Sequence, residues 1–80
     1  MKLRVKAYAA AKEFFGNEFE LDVINEFSIR DLKKELIKIK PAAAALINIC
    51  RFAVDEIFVN EEKKIDAGEF VHIIPPSSGG

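Results

Sequence analysis

The chain has 80 residues, half of them hydrophobic and 31% charged, with a formal net charge of −1 and a single cysteine. This is enough for one small domain, and it argues against disorder, against an internal disulfide, and against electrostatic attraction to nucleic acid or an anionic membrane. No apolar run approaches the roughly 18 residues of a membrane span. Met1-Lys2-Leu3-Arg4 opens into an alternating strand rather than a signal peptide, so a cytoplasmic protein is expected.

Lys2 to Tyr8 alternates, with Leu3, Val5 and Ala7 on one face and Lys2, Arg4, Lys6 and Tyr8 on the other. Ala9 to Phe15 reads as a short helix that leaves through Gly16-Asn17. Glu18 to Ile24 alternates again, with Phe19, Leu21 and Val23 inward. These two strands are expected to pair as an antiparallel hairpin, lysines and arginine opposite acids. Ser28 starts the main helix as its cap, with Asp31 completing a capping box. Ile29, Leu32, Leu36 and Ile39 form its buried stripe, and Arg30, Lys33, Lys34, Lys38 and Lys40 a solvated outer face. Pro41 ends this helix and opens a second helical segment to Cys50. Phe52–Val54 and Ile57–Val59 are short strands hinged at Asp55-Glu56. Asn60–Lys64 is a charged connection, Asp66–Glu69 a turn and Phe70–Ile74 the last strand. The order predicts an α+β fold: a mixed sheet of four to five strands packed on one main helix.

After Ile74 the chain reads Pro75-Pro76-Ser77-Ser78-Gly79-Gly80. Proline fixes φ and removes a donor, so the sheet ends and the backbone leaves it extended. Glycine, without a Cβ, fits a channel too narrow for side chains. Residues 1–74 are therefore expected to form the domain. Residues 75–80 form a tail reaching roughly 18–20 Å with a carboxylate at its tip.

Alternation also makes the outer face unusual. If Val71 and Ile73 point inward, Phe70, His72 and Ile74 point out. Phe58 points out if Ile57 and Val59 point in, and Tyr8 ends the outer face of the first strand. Seven phenylalanines and a tyrosine are generous for so small a core. Tyr8, Phe58, Phe70, His72 and Ile74 are thus read as a partner-docking face beside the root of the tail.

Little else offers chemistry. One histidine and one cysteine do not make up the usual zinc ligand sets, and Cys50 lies in an apolar helical stretch, as a core residue would. Ser77 and Ser78 have no neighbouring base and read as spacers, and Asp66–Glu69 lacks a phosphate-cradling glycine pattern. What remains is the Gly80 carboxylate. A carboxylate is a poor electrophile, and ATP would activate it as an acyl-adenylate. Attack by a sulfur nucleophile then gives a thiocarboxylate; attack by a lysine amine gives an isopeptide bond.

Three segments give the chain a family likeness: Tyr8-Ala9-Ala10-Ala11-Lys12-Glu13-Phe14-Phe15-Gly16, Ala67-Gly68-Glu69-Phe70-Val71, and the ending Ile74-Pro75-Pro76-Ser77-Ser78-Gly79-Gly80. It resembles the MoaD branch of the ubiquitin-like β-grasp proteins, the small subunits of molybdopterin synthase, related to the thiazole sulfur carrier ThiS. The resemblance implies a β-grasp fold and a protein that is not an enzyme alone. It would be the sulfur-donating subunit of a sulfurtransferase whose active site lies on the large subunit. An ATP-dependent adenylating enzyme (MoeB-like) would activate Gly80, and a sulfur donor would convert it to a thiocarboxylate. The loaded tail would then enter the large subunit (MoaE-like), in paired heterodimers, and give sulfur to cyclic pyranopterin monophosphate for molybdenum cofactor biosynthesis. No permanently bound cofactor or metal is implied; ATP is used by the activating enzyme. Tyr8, Phe58 and Ile74 also pattern onto the family's docking surface. The chain departs from the family at Ser77, usually β-branched, at His72, usually small, at Glu69 and at Asp55. A ThiS-like carrier for thiazole synthesis, a ubiquitin-like modifier conjugated through Gly80, and a plain interaction module stand as alternatives.

Overall fold

The computed structural model describes residues 1–76. Five strands, β1 (Lys2–Ala7), β2 (Glu18–Asp22), β3 (Arg51–Val54), β4 (Ile57–Val59) and β5 (Phe70–Ile74), form one sheet in the order β2-β1-β5-β3-β4. β1 and β5 run parallel at its centre, and the other pairings are antiparallel. Helices α1 (Ala9–Phe15), α2 (Ile29–Ile39) and α3 (Ala44–Ile49) join the strands, with a 3₁₀ turn at Pro41–Ala43 before α3. The expected α+β arrangement of a mixed sheet on one main helix is the observed one, and it is the ubiquitin-like β-grasp.

One face of the sheet carries the core. Leu3 and Val5 of β1, Val71 and Ile73 of β5, and Phe52 and Val54 of β3 pack with Ile29, Leu32 and Leu36 of α2 and with Ile47 of α3. All are buried, so the alternation read in β1 and β5 holds residue by residue. The hairpin pairs as expected, with Lys2 opposite Asp22, Arg4 opposite Glu20 and Lys6 opposite Glu18. Cys50 is buried in this core, and loss of hydration pushes its thiol pKa up.

Three expectations fail at element ends. Ile39 sits in the last turn of α2 and stays 45% exposed, because the helix outruns the sheet beneath it. Ile57 faces the core side but lies on an edge strand of three residues, beyond the cover of α2, and is 66% exposed. Val23 and Ile24 follow β2 rather than extend it. The outer face of α2 is also not wholly solvated. Lys33 donates to Glu61 at 2.6 Å, and Arg30 donates to Glu61 and Glu62 at 3.4 and 3.0 Å. The charged connection is thereby laid along the start of α2, where its Lys63 and Glu61 carbonyls accept from the Ile29 and Arg30 N–H groups.

The capping box at Ser28 closes the same end. Ser28 Oγ accepts from the Asp31 N–H at 3.1 Å, and Asp31 Oδ2 accepts from the Ser28 N–H and hydroxyl, each at 3.0 Å. The Ser28 backbone bond, then its side-chain bond, hold the Asp31 carboxyl below its ordinary value of 3.8. Lys33 does the same for Glu61, whose ordinary value is 4.5. A carboxyl pKa lowered by folding contributes stability above its unfolded value, and this is lost as pH falls through the folded one. Thermal stability is therefore expected to hold at neutral pH and to fall below about pH 4.5, further below 3.8. Ser28→Ala should cost about 1 kcal/mol at neutral pH, a gap that narrows in acid; a melting series from pH 7 to 2.5 on both proteins checks it.

The β3–β4 hairpin turns through Asp55 and Glu56, at φ +51° and +65°. Two positive φ values in a two-residue hairpin loop match the turn that favours Asp-Gly or Asn-Gly. Glu56 holds its conformation against its own Cβ. Glu56→Gly is expected to raise stability by about 0.5–1 kcal/mol, read as a higher melting temperature.

Candidate docking face at the root of the tail

The face of the sheet opposite the helices is built by the residues that alternation leaves outside. β5 supplies Phe70, His72 and Ile74, all half-buried, while Val71 and Ile73 between them are fully buried. In the register, Arg4 lies beside Phe70, Lys6 beside His72, and Ala53 between His72 and Phe58.

Tyr8 reaches this face through the chain's exit from β1. Its N–H donates to the Ile73 carbonyl at 3.2 Å, and its own carbonyl accepts from the Ala11 N–H at 3.0 Å. Ala9, at φ +50°, re-aims the backbone into α1 at that point. The Tyr8 hydroxyl and His72 Nδ1 share a 2.7 Å hydrogen bond, in which the phenol donates when Nδ1 carries no proton. The Phe70 and His72 rings stack at 5.1 Å and 9°. The five expected residues are thus gathered on one face, four of them in a row from Phe70 through His72 to Tyr8 and Ile74.

Three cations lie over these rings. The Arg4 guanidinium is 4.5 Å from the Phe70 centroid, Lys6 Nζ 5.3 Å from Tyr8, and the Arg51 guanidinium 3.6 Å from Phe58. Phe70, between Arg4 and the stacked His72 ring, is half-buried, yet Phe58 remains 49% exposed. Because Ala53 is small, the sheet dips between Phe58 and His72. The hollow is lined by Tyr8, Ala53, Glu56, Phe58, His72 and Ile74.

Sequence reasoning missed Arg51, Ala53 and Glu56. The alternation of Arg51–Val54 carried the signal for Ala53, but only the strand order sets it between Phe58 and His72. Pro75 follows Ile74 directly, half-buried, and Pro76 is exposed. Ser77, Ser78, Gly79 and Gly80 lie outside the described residues. Among the described residues no helix is long and apolar enough to cross a membrane.

The fold and this apolar outer face define the class: a small ubiquitin-like β-grasp protein. Residues 5–80 match the ThiS family. Over 83 residues the chain is 31% identical to a molybdopterin synthase sulfur carrier subunit of Chlamydomonas reinhardtii, with the whole of both chains covered. The chain belongs to the ThiS family, as its likeness to the MoaD branch implied. Solved structures agree on the fold. SAMP1 from Haloferax volcanii superposes with a TM-score of 0.84 at 18% identity, over 100% of both chains. A complex of subunits 1 and 2 of molybdopterin-converting factor from Helicobacter pylori contains a chain matching at a TM-score of 0.71 and 18% identity, again over 100% of both.

Proposed function

We infer that this protein is a sulfur carrier and the small subunit of a molybdopterin synthase. The observation that carries this reading is the 31% identity, over the whole of both chains, with the sulfur carrier subunit of Chlamydomonas reinhardtii. The outer face supports it, because an exposed apolar surface at the root of a Pro-Pro-Ser-Ser-Gly-Gly tail suits a protein that docks and then inserts its end. Gly80 is the reacting group. An adenylating enzyme joins its carboxylate to AMP and releases pyrophosphate; sulfur from a donor displaces AMP and leaves a thiocarboxylate. Docking through Tyr8, Phe58, Phe70, His72 and Ile74 brings the tail, Pro75 through Gly79, into the large subunit, where cyclic pyranopterin monophosphate takes the sulfur. The carrier needs no general acid or base of its own, since activation and transfer both happen on its partners.

The fold shared with SAMP1, named small archaeal modifier protein 1 in a second structure, favours a second reading, conjugation of Gly80 to lysines. Intact mass distinguishes the two. The chain isolated from cells, or incubated with an adenylating enzyme, ATP and a sulfur donor, should gain the mass of sulfur exchanged for oxygen, localised to the Gly80 peptide. Gly80 found only in isopeptide linkage to other proteins would replace the carrier reading with the modifier one.

A further inference from the structure

The sheet has a second unpartnered surface, at the edge opposite β4. β2 is an edge strand. The Val23 N–H donates to the Met1 carbonyl at 2.8 Å and the Ala7 N–H to the Asn17 carbonyl at 3.0 Å. With Leu3 opposite Leu21 and Val5 opposite Phe19, the odd-numbered residues of β2 are those bonded to β1. In an antiparallel ladder the alternate residues then aim their N–H and C=O groups the other way. Glu18, Glu20 and Asp22 therefore present three donors and three acceptors to the open edge.

Both faces of this edge have a definite character. The carboxylates of Glu18, Glu20 and Asp22 line the outer side, all exposed. On the other side Phe19 and Leu21 are half-buried, and the Phe15 ring lies 5.9 Å from that of Phe19. β1 neutralises these acids only in part, since Arg4 and Lys6 lean towards Phe70 and Tyr8. Asp22 holds Lys2 at 3.2 Å and Glu18 reaches Arg4 at 3.8 Å, whereas Glu20 has no ion pair among the described residues.

We propose that this edge accepts an added antiparallel strand from a partner protein, with basic residues alternating with apolar ones. Charge selects that occupant over a second copy. Two β2 edges paired antiparallel about Glu20 set Glu20 against Glu20 and Glu18 against Asp22, and like charges directly opposite destabilise a sheet. The complementary pattern already sits on the other side of β2: β1 reads Lys2-Leu3-Arg4-Val5-Lys6-Ala7. Backbone bonds supply the affinity and the two faces the selection. The surface lies at the other end of the sheet from Phe58, and it does not depend on the sulfur-carrier reading.

The test is an NMR titration of the full isotope-labelled chain with a capped peptide, Lys-Leu-Arg-Val-Lys-Ala, and with its acidic counterpart, Glu-Leu-Glu-Val-Glu-Ala. The basic peptide should give saturable shifts across Glu18–Asp22 and protect the amides of Glu18, Glu20 and Asp22 from exchange, less so at high salt. Glu20→Lys should weaken binding roughly tenfold. Glu20→Pro should abolish it, because it deletes an outward donor that the sheet does not use. If Glu20→Pro melts the fold, Glu20→Lys decides. Absence of saturable shifts, equal binding of the acidic peptide, or shifts centred on Tyr8, Phe58 and Ile74 would overturn the proposal.

Discussion

Removing Gly80, or adding one residue after it, is expected to abolish sulfur loading while leaving the melting temperature unchanged. The two halves of this result have separate causes. Every fully buried side chain of the described core lies at or before Ile73, so removing the last residue, a glycine, deletes none of them. Loading, by contrast, depends on where one carboxylate stands. An added residue carries it up to about 3.3–3.6 Å further along the chain, and misplacement by about 1 Å can cost roughly a hundredfold in rate. The added residue also puts a Cβ, unless it is glycine, where the pair of glycines had none. Intact mass after incubation with adenylating enzyme, ATP and sulfur donor reads loading directly. A parent that gains sulfur beside two variants that do not is the expected pattern. An extended chain that loads and supports cofactor synthesis as well as the parent would remove Gly80 from the mechanism.

Much of this site is legible without coordinates, for a physical reason. Side chains on a strand alternate strictly, so fixing Val71 and Ile73 in the core fixes Phe70, His72 and Ile74 outside it. Ser28 and Asp31 are three residues apart in a local motif that needs no tertiary context. What escaped depends on neighbours distant in sequence. Phe27 and Ile65 are buried core residues, but each is a single apolar residue outside any periodic run. Arg4 and Arg51 lie over Phe70 and Phe58 because β5 inserts between β1 and β3, an order no local pattern encodes. Ile39 and Ile57 fit their periodicities yet stay exposed, since period assigns a face but not whether another element reaches far enough to cover it. The resemblance to MoaD-type proteins placed the chain in its family. Its most consequential expectation, the chemistry of Gly80, falls outside the described residues.

The docking face invites a contrast between two apolar side chains on opposite faces of one sheet. Ile73 points into the core and is fully buried; Phe58, across β3 from the neighbouring His72, points out and is 49% exposed. Phe58→Ala should leave stability nearly unchanged, because the ring touches solvent and the Arg51 guanidinium rather than the core. If the ring seats in a pocket of the large subunit, its truncation should cost about 2–4 kcal/mol of binding, roughly a 30- to 1,000-fold rise in Kd. Arg51 adds to this loss, since truncation removes the ring on which its guanidinium stacks. Ile73→Ala should do the reverse. It opens a cavity between Ala7 and Phe52, its neighbours on β1 and β3, and should cost roughly 2–5 kcal/mol of folding stability, while the fraction that remains folded binds the large subunit with close to parental affinity. Calorimetric titration with the large subunit, paired with thermal melts, measures both quantities on both variants. Parental binding by Phe58→Ala would move the interface away from the hollow lined by Tyr8, His72 and Ile74. Weakened binding by folded Ile73→Ala would mean instead that the partner reads the curvature of the whole sheet, with the outer row acting only as its surface.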